Sequence, residues 1–171
     1  MQAFIRTVNL VSQAVGVVAA AMIVFAVTLT CQMIFIRYFL NGSTSWQTEA
    51  VIYLMVGATL LGLPYVQKLK GHVNVDLVPM LLPHAARKVL MIASYLAAVA
   101  ILAVMTYHGW DLVYISYARG WVSETVWAPP LWIPYLSMPL GFGLFALQLL
   151  ADLIEILQTP SEDIVIEGSG R

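Results

Sequence analysis

The stretch that decides the fold is TVNLVSQAVGVVAAAMIVFAVTLTCQMIFI, residues 7–36, an apolar run between Arg6 and Arg37 with no charge inside it. A helix rises about 1.5 Å per residue, so roughly 20 apolar residues cross a hydrocarbon core of about 30 Å. This run is longer, and its helix must tilt or extend past the membrane. Three more uncharged runs follow, at 50–67, 89–110 and 125–151. They predict an all-α membrane protein with four transmembrane helices near 10–36, 50–67, 86–110 and 131–152. These spans form a single membrane domain over 1–157, and residues 158–171 read as an acidic, disordered tail. The second span is short, and Lys68 and Lys70 are placed to snorkel from its end. Ala19-Ala20-Ala21 imitates a signal-peptide cleavage site, but the apolar run continues to Ile36, well beyond the apolar region of a signal peptide. The first span therefore reads as an uncleaved helix.

Composition points the same way. Of 171 residues, 61% are apolar and 10% charged, against about 45–50% and roughly 25% in a soluble domain. So few charges cannot coat a water-soluble globule, which excludes an ordinary soluble enzyme, and so much apolar side chain excludes a disordered chain. A net charge of −1 supplies no basic field for nucleic acid. The lone cysteine, Cys31, excludes an internal disulfide or a CxxC site.

Lysine and arginine set the orientation. With the N-terminus inside, Arg6, Lys68, Lys70, Arg87, Lys88 and Arg171 are cytoplasmic, leaving Arg37 and Arg119 outside. Both termini are therefore expected in the cytoplasm. All the tryptophans, Trp46, Trp110, Trp121, Trp127 and Trp132, fall in or beside the two outer loops. Indole favours the membrane boundary, yet belts occur at both faces, so this one-sided set marks an aromatic contact on the outer face.

The inner loop is too short to span and too apolar to lie free in water. Leu77, Val78, Leu81 and Leu82 recur at helical spacing, predicting a short amphipathic element between helices 2 and 3, lying in the membrane interface or on a partner. Pro79 limits it to one or two turns, and Pro83 suits the first turn of the third span. Both outer loops carry Trp-x-x-Glu, at Trp46–Glu49 and Trp121–Glu124, a pattern too loose to establish duplication. Arg37 closes one span and Glu49 opens the next. Either the two form an ion pair at similar depth, or each faces headgroups. Pro139, inside the fourth span, removes one backbone hydrogen bond and bends the helix, while Gly141 and Gly143 permit close helix approach.

Nothing in the pattern performs chemistry. His72 and His84 belong to the inner side and His108 to the outer, so the histidines do not converge on a metal or haem. No nucleophile–base pair or phosphate-cradling loop is visible. Every Asp, Glu, Lys and Arg lies at or beyond a span end, whereas transporters and pumps place ionisable groups near the membrane centre. The chain reads as a non-enzymatic scaffold without cofactor, whose function depends on a partner.

Arg37-Tyr38, Ser45-Trp46, Glu49, Gly62, Gly71-His72-Val73-Asn74-Val75-Asp76, Trp127-Ala128-Pro129-Pro130-Leu131-Trp132, Pro139-Leu140-Gly141 and Leu147-Gln148 occur in an order that resembles the small permease, or DctQ-type subunit, of TRAP (tripartite ATP-independent periplasmic) transporters. The resemblance covers most of residues 8–157, and the Gly71–Asp76 segment is its most specific piece. One departure stands out: family members often carry two adjacent acids after the tryptophan, and here Thr48 takes the first place. The resemblance implies a subunit of a bacterial or archaeal cytoplasmic membrane. Its partners would be membrane lipids, a large permease subunit carrying the solute and sodium sites, and a periplasmic substrate-binding protein met transiently.

Arg37, Trp46 and Glu49 at the outer hairpin, with His72 and Asp76 in the inner loop, are then expected to hold helix ends or the partner interface. Trp110, Trp121, Trp127 and Trp132 form the outer aromatic contact. His72 and Asp76, four apart, share a face if their segment is helical. Two rival readings are a membrane anchor of a respiratory haem or quinone complex and a stand-alone exporter or channel.

Overall fold

The computed structural model describes residues 2–69 and 84–158. Its helices are α1 (Gln2–Phe39), α2 (Ser45–Lys68), α3 (His84–Ala118), α4 (Trp132–Tyr135) and α5 (Ser137–Gln158). Four segments are long and apolar enough to cross a membrane: Phe4–Phe39, Ser45–Lys68, Val89–Ala118 and Trp132–Leu157, the last taking in α4 and α5. The expected inner-loop element, His72 and Asp76 lie outside the described residues, as does the tail beyond residue 158.

Helices in lipid gain little from hiding apolar surface from one another, so their association depends on close fit and polar contacts. The α1 seam follows that rule. Val8, Ser12, Ala19, Ala26 and Leu29 are buried, as is Gly16, at spacings near 3.5 residues that keep one narrow stripe against α2 and α5. Gly16 is required there, because a Cβ would stand 2.4 Å from the Tyr65 ring. The helices contact in the order α1, α2, α5, α3. Among the described residues, α5 is the centre, touching α1, α2 and α3, and α3 meets only α5 and α4. The result is an open array rather than a closed bundle, with apolar side chains such as Val24, Phe25, Ile101 and Val104 exposed on α1 and α3.

Pro64, buried inside α2, explains a close approach of α5. Its ring nitrogen has no hydrogen to give the Leu60 carbonyl. Gly141 of α5 lies against that same carbonyl, where a Cβ would come within 2.6 Å of the oxygen.

Several boundaries differ from the sequence expectation: α1 starts at Gln2, α2 starts at Ser45 and α5 runs on to Gln158. The third helix continues past Trp110 to Ala118, because Asp111 alone does not stop a helix. The stop is Gly120, in the left-handed region at φ +60°. Gly120 N–H donates to Tyr117 O at 3.2 Å and Trp121 N–H to Ser116 O at 2.9 Å, the paired bonds of a Schellman cap. Near Pro139 the chain stays helical: Leu136, in the right-handed helical region, is the single residue between α4 and α5, and Leu140 N–H reaches Leu136 O at 3.4 Å. α4 ends at Tyr135 and α5 begins at Ser137, which leaves Pro139 in the first turn of α5, where backbone N–H groups have no intrahelical acceptor anyway.

Candidate functional site

The chain has a tryptophan end, formed by the α1–α2 turn and the 119–131 loop, and a terminal end, where α1 starts and α5 finishes. Each carries a polar assembly.

At the tryptophan end, the start of α2 fixes the loop. The Glu49 carboxylate, 7% exposed, accepts hydrogen bonds through Oε1 from Tyr53 and through Oε2 from Thr125. Tyr53 is one helical turn further along α2, so it reaches the same face. The Ser123 hydroxyl donates in turn to Thr125 Oγ1 at 3.4 Å. The loop is shaped to deliver these hydroxyls: Ser123 N–H donates to Pro129 O at 3.0 Å, Ala128 N–H to Thr125 O at 3.0 Å, and Leu131 N–H to Trp121 O at 2.9 Å.

Arg37 donates to Thr44 Oγ1 at 3.4 Å, tying the end of α1 to the residue before α2, while Glu49 is engaged by hydroxyls. The two Trp-x-x-Glu sequences have different structures. Trp46 and Glu49 lie in α2, whereas Trp121 and exposed Glu124 lie in the loop.

The indoles make separate contacts. Trp46 and Trp127 meet edge to face at 6.1 Å, and Trp132 meets Tyr117 at 5.9 Å. The Arg119 guanidinium stands 6.0 Å from the centre of the Trp121 ring. Trp110 is exposed on α3. The structure thus brings Trp46, Glu49 and Trp127 into one assembly and leaves Trp110 away from it.

At the terminal end lies a network that the sequence analysis did not single out. Gln148 of α5 and Ser12 of α1 are each 1% exposed. Ser12 Oγ donates to Gln148 Oε1 at 2.7 Å, and Gln148 Nε2 donates to Asn9 Oδ1 and Asp152 Oδ1, both at 3.0 Å. Gln67 Nε2 of α2 reaches Asp152 Oδ2 at 2.8 Å. Lys68, rather than snorkelling away, donates to Asn9 O at 3.2 Å and Gln13 Oε1 at 3.1 Å. Three helices are joined through uncharged amides, one hydroxyl, one carboxylate and one ammonium. The available signal was the spacing of polar residues within apolar runs: Asn9 with Ser12, and Gln148 with Asp152, share helix faces.

The hydroxyl–carboxylate bonds at Glu49 fasten the loop to α2, and the amides of the other network are not nucleophiles. Among the described residues, no group of three or more His, Cys, Asp or Glu could hold a metal. Both assemblies hold elements together.

The sequence profile of the DctQ component of tripartite ATP-independent periplasmic transporters matches residues 26–159, which includes most of both assemblies. The chain belongs to that family. It is also similar to the isethionate TRAP transporter permease protein DctMQ of Oleidesulfovibrio alaskensis, with 25% identity over 134 residues. That alignment covers 77% of this chain and 21% of the relative, so the chain spans about a fifth of that longer protein.

Proposed function

We propose that this chain is the small membrane subunit of a TRAP transporter and braces the large permease during sodium-driven uptake of an organic acid or related solute. A periplasmic binding protein delivers the solute, and the complex resides in the cytoplasmic membrane with both termini of this chain inside. The observation that carries the reading is the family match over residues 26–159. The fold supports the division of labour. Two polar assemblies hold helices and the loop together, and apolar faces of α1 and α3 remain uncovered by the described residues. Arg37, Trp46 and Glu49 keep the outer hairpin in shape for the partner, while His72 and Asp76 serve the partner interface on the inner side. The lysine and arginine distribution supports the orientation.

The test is a mild-detergent pull-down of the tagged chain from native membranes, with mass spectrometry and a visible absorbance scan. A stoichiometric, colourless, large polytopic partner is expected. A haem-bearing product, or the chain recovered alone, overturns the assignment. Alanine at Glu49 or Asp76 is expected to lower the yield of the complex, and unchanged yield and transport remove the role given to them.

A further inference from the structure

We propose that the 121–131 loop lies in the lipid headgroup–acyl boundary, inserting Val126 as an apolar anchor, rather than projecting into water. α2 has 24 residues, about 36 Å at about 1.5 Å per residue. That is little more than the roughly 30 Å core it crosses, so its first turn lies at the membrane boundary. Trp127 is held there by Trp46 on that first turn, and Thr125 by Glu49, which begins the next turn of α2. Val126, between two residues fastened at that depth, points outward and is 94% exposed.

The neighbouring surface fits lipid. Val122 and Ile133 are exposed, and the loop's charges between residues 119 and 131 are Arg119 and Glu124 alone. Arg119 leans over Trp121, an arrangement in which the indole carries the cation at the interface. The exposed aromatic side of α3, through Tyr114 and Tyr117, joins the loop region at the Tyr117–Trp132 contact. The membrane-facing surface of α3 is therefore continuous with it. Glu49 acts as the fastener: its carboxylate satisfies the loop's hydroxyls, leaving the apolar side chains to face the lipid.

The full chain, with Cys31→Ser, is placed in phosphatidylcholine nanodiscs with a nitroxide label at Val126→Cys. Collisions with oxygen, which concentrates in the bilayer, are compared with those of a water-soluble nickel chelate. A label at exposed Tyr107→Cys on α3 gives the bilayer-core value, and a free nitroxide in buffer gives the water value. The Val126 label is expected to show an oxygen-to-chelate ratio several-fold above the water value and below that of the Tyr107 label. A ratio at the water value places the loop in solvent and overturns the proposal. Weak collision with both reagents places Val126 under protein, such as a second copy of the chain, and also overturns it. The readout requires neither transport nor a partner subunit, so its failure is separate from failure of the transporter assignment.

Discussion

The two ends of the array use polar groups in opposite ways. At the tryptophan end, one carboxylate collects hydroxyls from a loop and from its own helix, fastening an irregular segment to a regular one. At the terminal end, Gln148 sits between α1 and α5, and Asp152 extends the network to α2 through Gln67. The difference follows from what each end must satisfy. A loop at the membrane boundary has its own turns and needs only a point of attachment. Helices inside lipid have satisfied backbones and little hydrophobic reason to choose one neighbour over another, so interlocking amides and small residues specify the pairing. The terminal end should therefore govern the stability of the whole array, and the tryptophan end the order of one loop.

The largest effect is expected from Gln148→Leu. The leucine fills similar space but leaves Ser12, Asn9 and Asp152 short of a partner in a buried site. The expected loss is about 2–3 kcal/mol, read as a lower denaturation midpoint in mixed detergent–SDS micelles. A loss no larger than that of a surface substitution would make the network dispensable and remove the contrast between the ends. Next is Gly141→Ala, whose Cβ would meet the Leu60 backbone carbonyl at 2.6 Å. Backbone cannot swing aside as a side chain can, and about 1–3 kcal/mol of overpacking is expected in the same assay. Gly62→Ala is the control: its Cβ would stand 3.9 Å from the Ala19 Cβ, an ordinary contact, and the midpoint should move little.

These assemblies were unequally legible in the sequence. The four spans follow from gaps between charges, because a charge inside a span is costly and the run lengths match a bilayer, although Asp111 and Asp152 lie inside the third and fourth candidate spans rather than at their ends. The same reliance on charge placed the third span's end at Trp110 and overlooked Gly120, a stop signal of a different kind. Glu49 stood out as an acid at a span end, but its partners did not. Thr125 is 76 positions away, and no periodicity connects a helix start with an irregular loop. Gln148, Ser12 and Gln67 passed unnoticed as a network because uncharged polar residues leave an apolar run intact. Their pairing depends on the α1–α2–α5 contact order, which no local pattern encodes.

Glu49→Gln tests the loop half of the comparison. The glutamine keeps one carbonyl acceptor but turns an amide donor toward hydroxyls that were themselves donating. Amide hydrogen exchange should quicken across residues 121–130 while the α1, α2 and α5 amides keep their protection. Exchange that quickens throughout the array would show that Glu49 supports the helices as well, and the proposed separation of roles would fail.

The smallest effect belongs to Trp127→Ala, and it separates two ways in which the loop can be held. The Trp46–Trp127 pair meets edge to face at 6.1 Å, a geometry worth about 0.5–1.5 kcal/mol beyond burial. Thr125 keeps its bond to Glu49 in this variant, so one of the two attachments flanking Val126 survives. If the carboxylate dominates, loop exchange should rise less than in Glu49→Gln. If the indole pair dominates, the order of the two variants reverses. The reversal would mean that the loop is held mainly by aromatic contact with the first turn of α2, with Glu49 satisfying hydroxyls that packing had already brought into place.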